Sequence, residues 1–374
     1  MRTDKTIAYI VSHTNHSLQW EWFLDEMKDK LLFHFIIIDN TYENYLYESL
    51  KQKGFRVTLL VYKNKISYII ILFKLISYII KNKIDIVQTE MPLGNLLGLT
   101  SAFLSFRKRI MTASNVTWYK DFNSKKQYII DKISYFLANK IICQEESSYK
   151  ILEHEFNINK NKLSVIHHAV NPKYYLHIPK NEIDNLKIKY NINENEFIFG
   201  MISRLEYWKG HIYPIKAMQK IVQKFPHTKL LIFGEGPEKE NLHNLINSLE
   251  LNNYVFLCGF EKNIIPLYKI FNVQIHTPID PYCETFGITI LDAMMSELPM
   301  ILTLSGIAKS IAKHKENAWI VPFKDTLAIE EAMDVLISDE SLRILLGFNA
   351  RKTVMEKFSI EQKIQSHLDI YNSL

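Results

Sequence analysis

Short apolar runs alternate with longer amphipathic stretches along nearly all of this 374-residue chain, and the alternation runs through twice. In the first series Thr6–Val11, Phe33–Ile38, Arg56–Tyr62, Ile84–Thr89, Arg109–Ala113, Lys140–Cys143 and Leu163–His167 predict strands. Helical periodicity fills Leu18–Leu32, Tyr42–Lys53, Ile66–Asn82, Gly94–Ser105 and Lys125–Asn139 between them. A polar stretch from Asn171 to Glu196 predicts irregular chain, and the pattern then restarts. The second series predicts strands Phe197–Ser203, Lys229–Phe233, Tyr254–Leu257, Val273–His276, Met300–Thr303 and Trp319–Val321. Its helices are Ile212–Lys224, Glu238–Leu249, Ile264–Phe271, a helix after Glu284, Thr326–Ser338 and Ser341–Lys357. Parallel strands cannot be joined by tight turns, so such alternation means parallel sheets covered by crossover helices. The length is great for one core, and two series predict two doubly wound α/β domains, residues 1–170 and 171–357, facing one another across a cleft. Ligands of such sheets lie at the carboxyl ends of the strands.

Hydrophobic residues at 47% and charged residues at 23% exclude a disordered chain. Residues 1–170 hold 23 Lys and Arg against 16 Asp and Glu, whereas the remainder holds 22 against 24. The basic first half suits an anionic partner, either a phospholipid surface or a pyrophosphate-linked acceptor, or is simply a solvated basic surface. Cys143, Cys258 and Cys283 are too few and too scattered for a disulfide framework or a zinc site, so a reducing, cytoplasmic compartment is expected. No secretory signal precedes the first strand, and no apolar run spans a membrane. Tyr62–Lys83 is apolar in its middle with Lys63, Lys65, Lys81 and Lys83 at its ends. That suits either an interfacial helix on anionic lipid, to which Arg107-Lys108-Arg109 would add, or a core helix with solvated ends.

The chemistry concentrates in the second series. Glu284 and Asp292 stand eight positions apart where a loop enters a helix. At the helical rise this spans roughly 12 Å, the reach from the sugar of a nucleotide-sugar across its diphosphate to the ribose. The diphosphate would lie near the helix N-terminus, where free N–H groups and the dipole favour anions. Arg204 and Lys209 follow the first strand of this series; a guanidinium forks onto phosphate oxygens and an ammonium adds a compact charge. Together they would neutralise a diphosphate leaving group, or else merely cap a strand end. Gly234-Glu235-Gly236-Pro237 follows the next strand and permits a tight turn with close backbone approach. Phe260 ends a third strand, where it either stacks on a base or belongs to the core.

Arg204, Lys209-Gly210, Gly234-Glu235-Gly236-Pro237, Gly259-Phe260 and the segment from Glu284 through Asp292-Ala293-Met294 to Pro299 occur in the order found in glycosyltransferase family 4, which the chain resembles strongly over about residues 165–325. The resemblance implies the GT-B fold, two Rossmann-like domains, and retaining transfer from a nucleotide-sugar. It implies that the last helix, within 358–374, packs back on the first domain. It implies that Arg204 and Lys209 bind the donor diphosphate, that Glu284 contacts the donor sugar, that backbone at Phe286, Gly287 and Ile288 lies near phosphate and sugar, and that Asp292 holds the ribose. The family's usual Glu at position 292 is shortened by one methylene, Glu297 stands where Gly is usual, and Ser305-Gly306 replaces two glycines. The glycine-rich loop expected after the first strand is replaced by Ser12-His13-Thr14-Asn15-His16, and the family's acceptor-side histidine by Ser114-Asn115-Val116-Thr117-Trp118. These departures bear on the acceptor side more than on the donor side.

Retaining transfer on one face of the sugar lets the leaving phosphate take the acceptor proton, so no dedicated base is required. No convincing Asp-x-Asp stands at a strand end, and no metal or other cofactor is expected. On the acceptor side His13, His16, Glu90 and Asn115 follow strand ends, although a loop histidine is often incidental. The expectation is hexosyl transfer from a UDP- or GDP-sugar to a glycan or glycolipid acceptor of lipopolysaccharide, capsule or O-antigen type, by a cytoplasmic enzyme in peripheral contact with the membrane, with no nucleic acid partner. A nucleotide-sugar epimerase on the same fold, or a non-catalytic partner subunit, remains open; product analysis with a nucleotide-sugar alone decides the first, and absence of hydrolysis or transfer from any common nucleotide-sugar, with Glu284→Ala leaving cellular glycan unchanged, would mark the second.

Overall fold

The computed structural model describes residues 5–14, 18–114, 116, 124–284 and 286–374. The chain forms two compact units: Met1–Ala169 with Ile360–Leu374, and Val170–Ser359.

The first unit is built on seven strands: β1 (Thr6–Ser12), β2 (Leu32–Asp39), β3 (Arg56–Val61), β4 (Ile86–Glu90), β5 (Lys108–Ala113), β6 (Lys140–Cys143) and β7 (Leu163–Val165). They form one sheet in the order β3-β2-β1-β4-β5-β6-β7, every pair parallel. Ile10 sits opposite Ile36 on one side and Thr89 on the other. The central strands are covered on both faces, which is why β1 and β2 read as unbroken apolar runs. Helix Ile66–Lys81 lays Ile71, Leu75 and Ile79, a stripe at four-residue spacing, against Ile10, Ile36 and Val87. Strand order reverses between β1 and β4, the switch point of this sheet.

The chain returns to this unit at its end. Helix Ile360–Asn372 buries Ile360, Ile364, His367, Ile370 and Tyr371. The Tyr371 hydroxyl donates to Gln88 Oε1 at 2.5 Å, and Gln88 Nε2 donates to the Tyr9 hydroxyl and to Thr112 Oγ1. The helix therefore closes a buried polar cluster beneath the sheet's central strands.

The second unit holds β8 (Phe197–Ile202), β9 (Thr228–Phe233), β10 (Val255–Gly259), β11 (Val273–His276), β12 (Met300–Leu302) and β13 (Trp319–Ile320). The order is β10-β9-β8-β11-β12-β13, again all parallel. Helix Ile212–Lys224 turns Ile215, Met218 and Ile221 onto Leu230 and Ile232 to make its core. Successive strands step outward from β8 to β10; the chain then crosses back to place β11 beside β8, so the switch point lies between β8 and β11.

Several sequence expectations are corrected. The stretch 171–196 is not irregular: it holds helices Lys173–Leu176 and Lys180–Lys189. The longer one buries none of its side chains, so it carries no apolar stripe for periodicity to detect. Helix Glu146–His154, between β6 and β7, was also not predicted. Ile264–Phe271 contains only a 3-10 segment, Ile265–Lys269, with proline in its first turn. The helix beginning at Leu18 stops at Met27, because Leu32 already opens β2. All three cysteines are free thiols, and among the described residues no helix is long and apolar enough to cross a membrane.

Candidate active site

Loops leaving the carboxyl ends of β8, β9 and β11 are locked together by backbone contacts. Ser203 N–H donates to Phe233 O, Leu205 N–H to Glu235 O and Glu238 N–H to Leu205 O, each at 3.0 Å. At Gly234 (φ +146°) a Cβ would stand 1.9 Å from the Ser203 carbonyl oxygen, so only glycine lets the two loops approach this closely. On the other side Ile279 N–H donates to Trp208 O at 3.0 Å. Gly210 adopts the left-handed region (φ +70°), where a Cβ would stand 2.1 Å from Thr277 O. The loop after β8 is thus pinned on one side to the turn after β9 and on the other, across the switch point, to the loop after β11.

That pinning brings the Lys209 ammonium onto the Glu284 carboxylate, residues 75 positions apart. Lys209 ends the 3-10 segment Tyr207–Lys209, and the Glu284 backbone N–H donates to Ser305 Oγ at 3.2 Å. Burial, and then the neighbouring Arg204 guanidinium, push Lys209 down to about 8. The carboxylate in contact acts in the opposite sense. His276, the last residue of β11, places Nε2 3.9 Å from Glu284 Oε2. Burial, then Lys209 and His211, push His276 down to about 3, so its ring is neutral at pH 7. His211 is pushed down to about 4, chiefly by burial and then by Lys209, and its Nε2 lies 2.9 Å from Ser203 Oγ. Arg204 by contrast is open to solvent at 71% side-chain exposure, 3.3 Å from Glu206 and over the Trp208 ring at 5.9 Å.

The remaining donor-side residues divide. Gly287 (φ +84°) caps helix Ile288–Met295, and buried Phe286 accepts from Ile307 N–H through its carbonyl at 2.8 Å. Because the helix begins at Ile288, helical rise governs only the second half of the Glu284–Asp292 interval. Asp292 is 5% exposed, and the Tyr175 hydroxyl donates to its Oδ1 at 2.5 Å. Burial raises its carboxyl to about 7, with the Tyr175 hydrogen bond opposing. Phe260 is exposed just past β10, and Gly234 opens the turn after β9.

In the first unit His13 and Glu90 stand at the ends of β1 and β4, on either side of that sheet's switch point, but they engage different neighbours. His13 Nε2 is 3.2 Å from the Tyr62 hydroxyl, and Nδ1 is 3.9 Å from Asp39. Glu90 is buried and accepts from Tyr9, Ser114 and Gln144 at 3.1, 2.8 and 3.1 Å. Burial raises its pKa, while those hydrogen bonds and the Lys363 ammonium oppose the rise. His16 and Asn115 lie outside the described residues. Sequence reasoning gave no site role to Ser203, His211, His276, Ser305 or Tyr175. The signal for His276 and Ser203 was their position at strand ends, which becomes informative only once β8 and β11 are known to be neighbours.

Chemically, a buried ammonium and an adjacent exposed guanidinium are able to receive a polyphosphate, and a carboxylate beside them is able to accept hydrogen bonds from hydroxyl groups. Residues 182–353 match the family described as "Glycosyl transferases group 1", and residues 34–174 match "Glycosyltransferase Family 4". The chain is 31% identical over 312 residues to the capsular polysaccharide biosynthesis glycosyltransferase CapM of Staphylococcus aureus, covering 81% of this chain and 80% of that protein. It is 28% identical over 257 residues to an uncharacterized glycosyltransferase of Methanocaldococcus jannaschii, covering 68% of this chain but only 64% of that relative, just under two thirds of its length. The crystal structure of Anabaena Alr3699/HepE in complex with UDP superposes with a TM-score of 0.82 at 18% identity, covering 99% of this chain and 100% of that one.

Proposed function

The chain belongs to glycosyltransferase family 4 and has the GT-B fold, and from that premise we propose that it moves a hexose-type sugar, with retention of configuration, from a UDP- or GDP-sugar to a lipid-linked or surface-polysaccharide acceptor. The observation that carries this reading is the meeting of Lys209 and Glu284 at the switch point of the second sheet. In the reaction the bond between the anomeric carbon and the diphosphate oxygen breaks. The acceptor hydroxyl oxygen bonds to that carbon on the same face, and its proton passes to the departing phosphate oxygen. Lys209 and Arg204 offset the charge that develops on the diphosphate, which is the larger electrostatic task. Glu284 leaves Lys209 to accept from the sugar hydroxyls, its backbone held by the bond to Ser305.

The basic pair supplies the positive charge at the diphosphate, and we propose transfer without a metal. The name of CapM supports a capsule-type acceptor, and the UDP in the HepE structure supports a uridine donor. The excess of Lys and Arg over Asp and Glu in residues 1–170 supports work on the inner, anionic face of a cell membrane.

The test offers the purified chain a panel of UDP- and GDP-sugars with and without acceptor glycolipid and follows nucleotide release and product anomer. One donor is expected to be consumed, equally well with a chelator present, and Glu284→Gln or Lys209→Ala is expected to lower kcat by about 10²–10³. Conversion of a nucleotide-sugar to its epimer without release of nucleotide, or no turnover of any donor, would overturn the reading.

A further inference from the structure

Helix Ile66–Lys81 is apolar on two faces. One stripe packs on the sheet through Ile71, Leu75 and Ile79. The opposite stripe, Ile66, Ile69, Ile70, Phe73 and Ile80, faces solvent among the described residues, with Ile66 70% and Phe73 65% exposed. A helix lying on a sheet needs one apolar stripe, and a second one marks a surface that something covers. Residues 62–84 contain five lysines and no carboxylate. Helix Pro92–Leu104 packs beside it, and crossover helices of a parallel sheet run the same way, so their C-terminal ends share an edge. At that edge Phe103 and Phe106, the latter 95% exposed, stand next to Arg107-Lys108-Arg109, with the Arg109 guanidinium 5.3 Å from the Phe103 ring centre.

We propose that this face docks on an anionic phospholipid bilayer, with helix Ile66–Lys81 lying in the interface plane, its outer stripe among the acyl chains and its lysines at the phosphates. Charge decides between a bilayer and a second copy of the chain. A two-fold pair on this stripe would set lysines against lysines with no carboxylate in residues 62–84 to answer them, whereas anionic head groups supply the missing charge. The docking gives a lipid-linked acceptor its route to the enzyme, and it rests on the proposed function only for that purpose.

The test is flotation of the full chain with vesicles of phosphatidylcholine, with and without phosphatidylglycerol, at low and high salt. Binding is expected only to the anionic vesicles, and it should weaken as salt rises. Ile69→Ser with Phe73→Ser, and separately Lys63→Glu with Lys65→Glu, should each weaken binding at least about tenfold, with unchanged melting and unchanged donor consumption. Absence of flotation at low salt, or variants that float like the parent, would overturn the proposal. So would a dimer in sedimentation that Ile69→Ser with Phe73→Ser dissociates. Donor consumption is read without vesicles, so failure of docking and failure of the enzymatic reading remain distinct.

Discussion

Lys209 is the residue on which the proposed donor site turns. Burial, and then Arg204, push its ammonium down to about 8, against the contact with Glu284. The ammonium is present below that pH and lost above it. Because kcat/KM reports groups of the free enzyme, it should fall as pH rises through about 8. Lys209→Arg keeps its charge at every accessible pH, so its profile should lose the alkaline limb even if its rate is lower. A parent profile flat well beyond about pH 8 would remove Lys209 from this role. Asp292 gives a second titration of opposite consequence. Its carboxyl is raised to about 7 in the folded chain, against about 4 when unfolded, so its contribution to stability is full below about pH 4 and lost as pH climbs to about 7. Asp292→Asn has no charge to bury and can still accept from Tyr175. Its melting temperature relative to the parent should therefore rise between pH 5 and pH 8, by roughly 2–4 °C per kcal/mol relieved. A pH-independent difference in differential scanning fluorimetry would mean that the carboxylate ionises freely.

At the scale of elements, helix Ile360–Asn372 shows how a terminal segment becomes structural. Its Tyr371 hydroxyl reaches Gln88 on β4, one of the central strands. Tyr371→Phe keeps the ring packing but strands a buried amide oxygen, so chemical denaturation should show a loss of about 1–3 kcal/mol. A variant as stable as the parent would mean that the amide finds another donor. The packing of this helix was expected only from the family resemblance, whereas most strands were legible in the sequence because burial on both faces prints runs such as Ile7–Val11 and Ile36–Ile38. Helix Lys180–Lys189 was not legible, since it buries nothing and holds its place partly through Lys189 and Tyr190 bonding to Glu261 beyond its end. The proposed donor site could be listed from the sequence as a set of residues but not as a geometry. Arg204, Lys209 and Glu284 stand in recognisable motifs, yet their meeting depends on β8 lying beside β11, and strand order leaves no local trace in composition. The Tyr175 bond to Asp292 joins residues 117 positions apart, and nothing near either one announces it.

Across the whole molecule the two proposed kinds of anion recognition rest on different physics. Residues 170–359 hold 21 basic and 22 acidic side chains, so no net charge draws a nucleotide to the second unit. In the proposed reading recognition there depends chiefly on Lys209, which is mostly buried and so screened little by salt, with the exposed Arg204 beside it adding a screened contribution. The first unit presents exposed lysines along an open helix, and their attraction to a charged surface extends only about a Debye length, near 10 Å at 0.1 M salt and about 3 Å at 1 M. Salt should therefore separate the two activities. UDP or GDP is expected to raise the melting temperature with the logarithm of its concentration over its dissociation constant, and to do so nearly as well at high salt as at low. Hydrogen exchange should slow most strongly in the loops around residues 203–210, 234–237 and 286–295. Flotation with anionic vesicles, by contrast, should collapse over the same salt range. If nucleotide stabilisation and vesicle binding decline together, or if exchange slows chiefly around His13 and Glu90, the donor phosphates are held by exposed charge in the first unit and not by the Lys209 site.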